Sequence, residues 1–510
     1  MTSLDDALTG LAKSAAIVFL GSVIGRLLGL LGQVLVIRAL NPTSFGHVAL
    51  AYTVVSTVGG LSLLGVHEGV TRLMSAEEIV DYRRRVLRSG YMFAILGAVI
   101  IATALYLARF RLGTYLNDDR LPELLIAFLP FLLVHTLSRI SFGALRVYKR
   151  SLAAVIARDL GPKVGAILLF GLFALSGEAF FGAIVYWVVT PAIMALLTGY
   201  YLHRELSMGR VVGNLPDSGT IRELWSFSWP LALGSSFFLL LGNVDVLMIG
   251  YFMEPRSVGL YRAIQPLNQV TTFVLVAFTF LFLPIATEYY NDRNLDALDQ
   301  FYTISTKWII AATFPPVLVF VLFAPDVVQV FFGSEYVPAA PALAVLTGGL
   351  FIRAIVGLNG DMTKAIDRPR IELYAVAPAV AINIALNIVL IPRYGIVGAA
   401  MATVVGYGVY NSLEVIAIYL TVGSHPFSAD SVKPLVPTLL FAVGLLRLTA
   451  NITLSLPLLL ATGVLISVVH LLSIVLTRSL SRADLVLFEQ FEEYIGIDLA
   501  WLKSFMRSHY

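Results

Sequence analysis

The sequence predicts an all-α, polytopic membrane protein with about fourteen transmembrane helices, and three observations carry that prediction. Hydrophobic residues make up 58% of the chain and charged residues only 13%, whereas soluble domains carry about a quarter of their residues charged. Apolar runs of about 20 residues, enough helix to cross a bilayer core, recur from one end of the chain to the other. The runs are continuous, not alternating, which selects helices over a β-barrel as the spanning form.

Taken in order, the predicted spans are 14–37, 46–66, 89–108, 122–145, 152–175 and 179–202, then 226–251, 261–285, 303–325, 340–362, 371–391 and 396–420, and finally 433–450 and 454–477. The segment Met1–Ala12 is polar to mildly acidic and lacks the layout of a signal peptide, so the first run is expected to remain as a span. Charge placement tests the count. With both termini cytoplasmic, the inner loops and tails hold twenty-two of the 35 Lys and Arg residues, and the outer loops hold eight. One missing or extra helix would reverse every later loop and erode that bias.

The stretch Leu386–Tyr410, "LNIVLIPRYGIVGAAMATVVGYGVY", shows how two spans join. Pro392 ends one helix and Gly395 lets the chain reverse. The small residues that follow suit close helix packing, which must hold spans together where lipid supplies no hydrophobic drive.

Spans one and seven align without a gap at an offset of 213 residues. Gly21-Ser22 answers Gly234-Ser235, Gly29 answers Gly242, and Pro42, Ser44 and Gly46 answer Pro255, Ser257 and Gly259. Six helices separate the copies, so both have the same orientation, which defines a parallel repeat about an axis along the membrane normal. The expected organisation is an N-terminal six-helix bundle over 1–212, a C-terminal bundle over 213–425, two further helices over 426–480, and a cytoplasmic amphipathic tail over 481–510.

Ionisable groups inside spans cost several kcal/mol and mark function by default. Five are basic: Arg26, Arg139, Arg158, Lys163 and Arg353. Arg26 and Arg353 lie near mid-depth, where snorkelling is hardest, whereas Arg139 and Arg158 sit in cytoplasmic halves from which they can reach lipid phosphates. Surplus guanidinium in a cavity suits an anionic substrate, because Arg grips phosphate bidentately. Asp159 and Lys163, four apart on one helix, can neutralise each other. Asp245 lies near Arg262, Gln265, Asn268 and Gln269, where it can bind a coupling cation or form an interhelical salt bridge. These three, Asp245, Asp159 and Arg262, are the coupling or gating candidates.

Other chemistries are excluded or unsupported. The chain has no cysteine, which rules out disulfides and thiolate sites, and its seven histidines show no metal-ligand spacing. There is no Walker or dinucleotide fingerprint, so no cofactor, metal, nucleic acid or catalytic residue is expected, and a monomer is.

Several stretches resemble one family. "VIRALNPTSFGHVALA" at 36–51, "SWPLALGSSFFLLLGNVDVLMIGYFMEPRSVGLYRAI" at 228–264, "FFGSEYVPAAPALAVL" at 331–346 and the 386–403 turn occur in the order and spacing of the multidrug/oligosaccharidyl-lipid/polysaccharide (MOP) exporter superfamily. The resemblance is to its polysaccharide-transporter branch of lipid-linked oligosaccharide flippases, and it covers about residues 10–420. It implies two six-helix bundles around a central cavity in the cell membrane. It also implies alternating access that carries a polyprenyl- or dolichyl-linked glycan headgroup across the bilayer. Cationic cavity residues of such proteins meet the carrier's phosphate, and Arg26, Arg139 and Arg353 are the candidates by position. The first span, "GRLLGLLGQV", carries only Arg26, which departs from the denser charge cluster of peptidoglycan-precursor flippases. Two rivals are weaker. A multidrug or cation antiporter of the same superfamily usually has twelve helices and acidic cavity residues. A membrane-embedded glycosyltransferase needs a larger outer loop than any present here.

Overall fold

The computed structural model describes residues 4–63, 65–207, 211, 216–481 and 484. Every regular element among them is helical, and they group into two compact units, Met1–Arg262 and Ala263–Tyr510. Long helices whose outer faces are apolar satisfy their backbones internally and leave residues such as Leu107, Leu175, Leu420 and Leu476 exposed, as a surface solvated by lipid requires.

The first unit runs through α1 (Leu4–Arg38), α2 (Pro42–Ser62), α3 (Val66–Ala76), α4 (Val80–Tyr115) and α5 (Leu121–Arg146). It continues with α6 (Ser151–Val155), a π-helical turn (Ile156–Leu160), α7 (Gly161–Leu175), α8 (Ala179–Leu206) and α9 (Ser218–Phe252). Asp217 caps α9: its Oδ2 accepts from the Thr220 N–H at 3.0 Å and the Thr220 hydroxyl at 2.9 Å. Those bonds hold its carboxyl below the usual range. The expected bundle boundary at residue 212 lies outside the described residues. The unit extends past it because α9 packs on α2, α3 and α4.

Both copies of the repeated Pro-x-x-x-Gly turn fall in this unit and meet reciprocally. A Cβ built on Gly46 would stand 1.8 Å from the Pro255 carbonyl oxygen, and one on Gly259 would stand 1.9 Å from that of Pro42. Only glycine permits so close an approach, and the reciprocity is what two-fold-related copies of one turn produce.

The second unit begins within α10 (Pro255–Ile264). It contains α11 (Val270–Asn291), α12 (Leu295–Leu322), α13 (Ala324–Phe332), α14 (Ala340–Leu350), α15 (Ile352–Ile355), α16 (Asn359–Ala365), α17 (Arg370–Val422), α18 (Ala429–Val432), α19 (Leu435–Leu448) and α20 (Leu456–Leu476). Helix α17 is two helices folded at Gly395, whose φ of 57° and ψ of −136° break the run. The second half packs back on the first, with Gly398 against the Leu390 carbonyl and Gly406 against Asn383 and Ala379. The helix therefore runs on past Pro392, where the sequence placed its end, and the reversal is a hinge at Gly395 with small residues lining the seam.

Among the described residues ten helices are long and apolar enough to cross a membrane, or eleven with one bent pair counted as a span. The count differs from the fourteen read from sequence at four places. The fifth expected span is interrupted by the π turn, and Leu239–Phe252 of the seventh is the short apolar part of α9. The eighth is the bent pair, and the eleventh and twelfth form one kinked run. Of the expected amphipathic tail, all but residues 481 and 484 lies outside the described residues.

Candidate functional site

The in-span basic residues of the first unit lie about the contact between α1 and the broken α6–π–α7 segment. Gly21, Gly25 and Gly29 of α1 face Val155, Asp159 and Lys163 respectively. The spacing is four residues on both sides, so the two spans run in the same direction. A Cβ on Gly25 would come within 2.7 Å of the Asp159 Cβ and 2.9 Å of its carbonyl oxygen. This small-residue stripe is what brings Asp159 of the π turn and Lys163 of α7 against the backbone of α1.

Pro162 explains the π turn. It has no N–H to offer the preceding turn, and the chain instead closes an i to i+5 bond from the Gly161 N–H to the Ile156 carbonyl. Turns of this kind often stand at functional sites. This one carries Arg158 and Asp159. The Asp159 Oδ2 accepts from Arg158 Nε at 3.0 Å and Nη2 at 2.8 Å, while Lys163 Nζ stands 3.8 Å from Oδ1. Arg158 also donates to Ser22 of α1 at 3.0 Å and lies over the Phe142 ring at 5.1 Å.

Two carboxylates, Asp159 and Glu68, do not balance this neighbourhood. Arg26 acts through space on Lys163, and Arg139 on Arg158, with Arg146 and Glu68 also within range of Arg139. Among the described residues, no carboxylate lies within ion-pair distance of Arg26, Arg139 or Arg146. A cavity of about 410 Å³ opens beside Arg158, with Phe142, Arg146, Lys149, Arg150 and Asp159 on its wall. Arg150 pairs with Glu205, whereas among the described residues Arg146 and Lys149 of the same wall have no carboxylate at ion-pair distance. The arrangement can hold an anion through several guanidinium groups at once.

The remaining candidates sit elsewhere. Asp245 is buried on α9, where Oδ2 accepts from the Tyr261 hydroxyl at 2.5 Å and Oδ1 from the Val246 N–H at 2.8 Å. The Arg262 guanidinium lies 5.9 Å from the Tyr52 ring, which in turn stacks on Trp187 at 4.9 Å. Arg353 belongs to the second unit, over the Tyr407 ring at 5.2 Å, with no carboxylate at ion-pair distance among the described residues.

Sequence reasoning missed three neighbours of the basic group. His67 lies near Arg139 and Arg146, His135 stacks on Phe131 at 5.0 Å beside Arg139, and Arg146, one residue past the expected span 122–145, lines the cavity. Nothing in the spacing of the two histidines marks them, because α3 and α5 meet only in three dimensions. Ser22 did carry a signal, since it is one of the six residues shared between the repeat copies.

A polytopic helical membrane protein with this architecture has the fold of the MOP superfamily. Its likeness to "Lipid II flippase MurJ, inward closed conformation" has a TM-score of 0.72 at 14% identity, covering 89% of this chain and 98% of that one. An inward-facing MATE family transporter of the MOP superfamily aligns with a TM-score of 0.68 at 16% identity, over 80% of this chain and 98% of that one. By sequence the chain belongs to the polysaccharide biosynthesis protein family, whose profile matches residues 11–290. Probable low-salt glycan biosynthesis flippase Agl15 of Haloferax volcanii is 22% identical over 407 residues, which is 79% of this chain and 82% of that protein. Probable flippase AglR of the same organism is 24% identical over 189 residues, covering 36% and 39%.

Proposed function

We propose that the chain is a flippase that carries a lipid-linked oligosaccharide, borne on a polyprenyl or dolichyl phosphate or pyrophosphate, across the cell membrane by alternating access. The observation that carries the reading is the uncompensated basic group of the first unit: Arg26, Arg139, Arg146, Arg158 and Lys163 around Asp159, beside an open cavity. A phosphate diester or pyrophosphate on a lipid is an anion that must leave water to cross, and guanidinium groups replace its hydration bidentately. Arg26, Arg139 and Arg158 take the headgroup in this reading, with Lys163 beside them, and Arg353 is a further substrate-binding candidate within the second unit. Family membership and the likeness to Agl15 and AglR support it. The glycan stays in the aqueous cavity while the lipid tail stays in the bilayer. Two six-helix halves, 1–212 and 213–425, alternate access, with Asp245, Asp159 and Arg262 as gating groups. Both termini face the cytoplasm, and the protein acts as a monomer.

The same fold serves multidrug transporters, but a basic surplus is the wrong sign for cationic drugs. The test is reconstitution of the purified chain in vesicles with a fluorescent polyprenyl-pyrophosphate oligosaccharide whose outer-leaflet fraction is read by a membrane-impermeant quencher. Arg139→Ala is expected to lower the flipping rate about tenfold, a loss of about 1.4 kcal/mol, and Arg26→Ala with Arg353→Ala is expected to abolish it. Unimpaired flipping in the double variant refutes the assignment of those residues. Failure of the unsubstituted chain to flip any lipid-linked glycan refutes the function.

A further inference from the structure

A second in-membrane ionisable group has surroundings unlike those of the basic cluster. Glu414, in the second half of α17, is 0% exposed. Its Oε1 accepts from the Tyr410 hydroxyl at 2.9 Å and its Oε2 from Asn359 Nδ2 at 2.7 Å. The same Asn359 amide reaches Asn411 Oδ1 at 3.1 Å, and the Asn411 amide is anchored on the Tyr407 carbonyl at 2.6 Å. Asn359, Tyr410 and Asn411 are themselves buried. Every partner is neutral, and among the described residues no Lys, Arg or His stands within ion-pair distance.

The charged and titratable groups that face it from packed elements are few. Lys364 on α16 is already 3.6 Å from Asp361, and Arg353 on α15 lies over Tyr407. Glu372, on the first half of α17, adds like charge, and the Tyr302 hydroxyl of α12 is spent on the Val356 carbonyl. A carboxylate with no counter-ion in such a place costs several kcal/mol, and such groups neutralise instead.

The neutralising species can be a proton or a metal cation, and the geometry separates them. An alkali cation needs several oxygens converging on one point. Here the Asn359 amide directs its N–H₂, not its oxygen, at the carboxyl, and no cluster of three His, Cys, Asp or Glu exists among the described residues. A proton needs only one carboxyl oxygen and a neighbour that can serve as donor or acceptor in turn, which is what the Tyr410 hydroxyl provides.

We propose that Glu414 is a proton-binding site in the second unit whose proton is exchanged during transport. The coupling part of this proposal rests on the flippase reading above, while the proton site itself does not.

Two measurements test them apart. Infrared difference spectra of the full chain in lipid, recorded across a pH titration, are expected to show a protonated-carboxyl C=O band at neutral pH that shifts in D₂O and is lost in Glu414→Gln. Absence of that band in the unsubstituted chain overturns the proton site, and it needs no variant to fold. Loss of the band on adding sodium chloride at fixed pH overturns the assignment to a proton in favour of sodium. In vesicles carrying the fluorescent lipid-linked glycan, an imposed pH gradient is expected to change the flipping rate several-fold, and Glu414→Gln is expected to lose that response. If the gradient has no effect while the glycan flips, the coupling fails and the flippase reading stands. If nothing flips while the band is present, the flippase reading fails and the proton site stands.

Discussion

Each unit buries a carboxyl group at membrane depth, and the two treat it in opposite ways. Asp159 in the first unit is clamped by Arg158 and Lys163, with further cations behind them. Glu414 in the second is held by a phenol and an amide alone. The cost of burying charge is the same in both places. In one it is offset by importing opposite charge, which leaves a net positive surface for an anion. In the other it is avoided if the group carries a proton, which leaves a site able to give that proton up. A third carboxyl sharpens the contrast: Asp484, 0% exposed, takes Lys307 at 2.5 Å, Trp308 Nε1 at 2.9 Å and the Ser481 N–H at 2.7 Å. It ties the chain beyond α20 to α12 and has no open cavity beside it among those described.

The largest effect on stability is expected where the pair is most buried. Lys307→Met strands Asp484 without its cation and is expected to cost about 3–5 kcal/mol. The readout is a large fall in the apparent melting temperature of the purified protein in detergent. Lys307→Met combined with Asp484→Leu is expected to recover most of that loss, because an apolar pair of similar volume has no charge left to solvate. A double variant as unstable as the single would mean the site is set by packing and not by charge.

Next in size is the seam that positions the basic cluster. Gly25→Ala drives a methyl group into the Asp159 Cβ and backbone carbonyl, neither of which can swing away. Overpacking of this kind costs about 1–3 kcal/mol, and the α1 contact with the π turn must open to admit it. Gly408→Ala, whose new methyl meets nothing within 4 Å, serves as the control and is expected to leave the melting temperature unchanged.

How much of this was legible in the sequence follows from how local each interaction is. The helical class, the hinge at Gly395 and the family were visible because hydropathy and the Pro392–Gly395 turn are local signals. The Asp159–Lys163 contact was visible as an i, i+4 pair. The Arg158–Asp159 pairing was not, since neighbours on a regular α-helix point apart, and the π turn that carries both follows from Pro162 by a route that no α-helical spacing reveals. Asn359 and Glu414 are 55 positions apart, and Lys307 and Asp484 are 177. Nothing in either neighbourhood announces its partner. Glu414 itself carries no mark in the sequence, because its isolation from cations is a property of the packed helices.

The smallest and most discriminating expectation is a pair of isosteric substitutions. Asp159→Asn removes a charge that two cations use, so Arg158 and Lys163 lose their counter-ion. Both are partly exposed, at 40% and 23% of their side chains, so solvent absorbs part of the penalty and the expected cost is about 1–2 kcal/mol, below that of a sealed pair. Glu414→Gln performs the same chemistry on a group that, if already neutral, loses no charge. The amide oxygen still accepts from Asn359 or Tyr410, and the expected change is under about 1 kcal/mol at neutral pH. The two differ again in how they depend on pH. Raising pH strips the proton from the native Glu414 and leaves a carboxylate without a counter-ion, so the native chain is expected to lose stability toward alkaline pH relative to Glu414→Gln. Asp159→Asn is expected to keep its deficit across the same range, because Arg158 and Lys163 have lost the carboxylate that holds them whatever the pH. Parallel melting curves for the two variants from neutral to alkaline pH would erase the distinction between the two units' buried carboxyls.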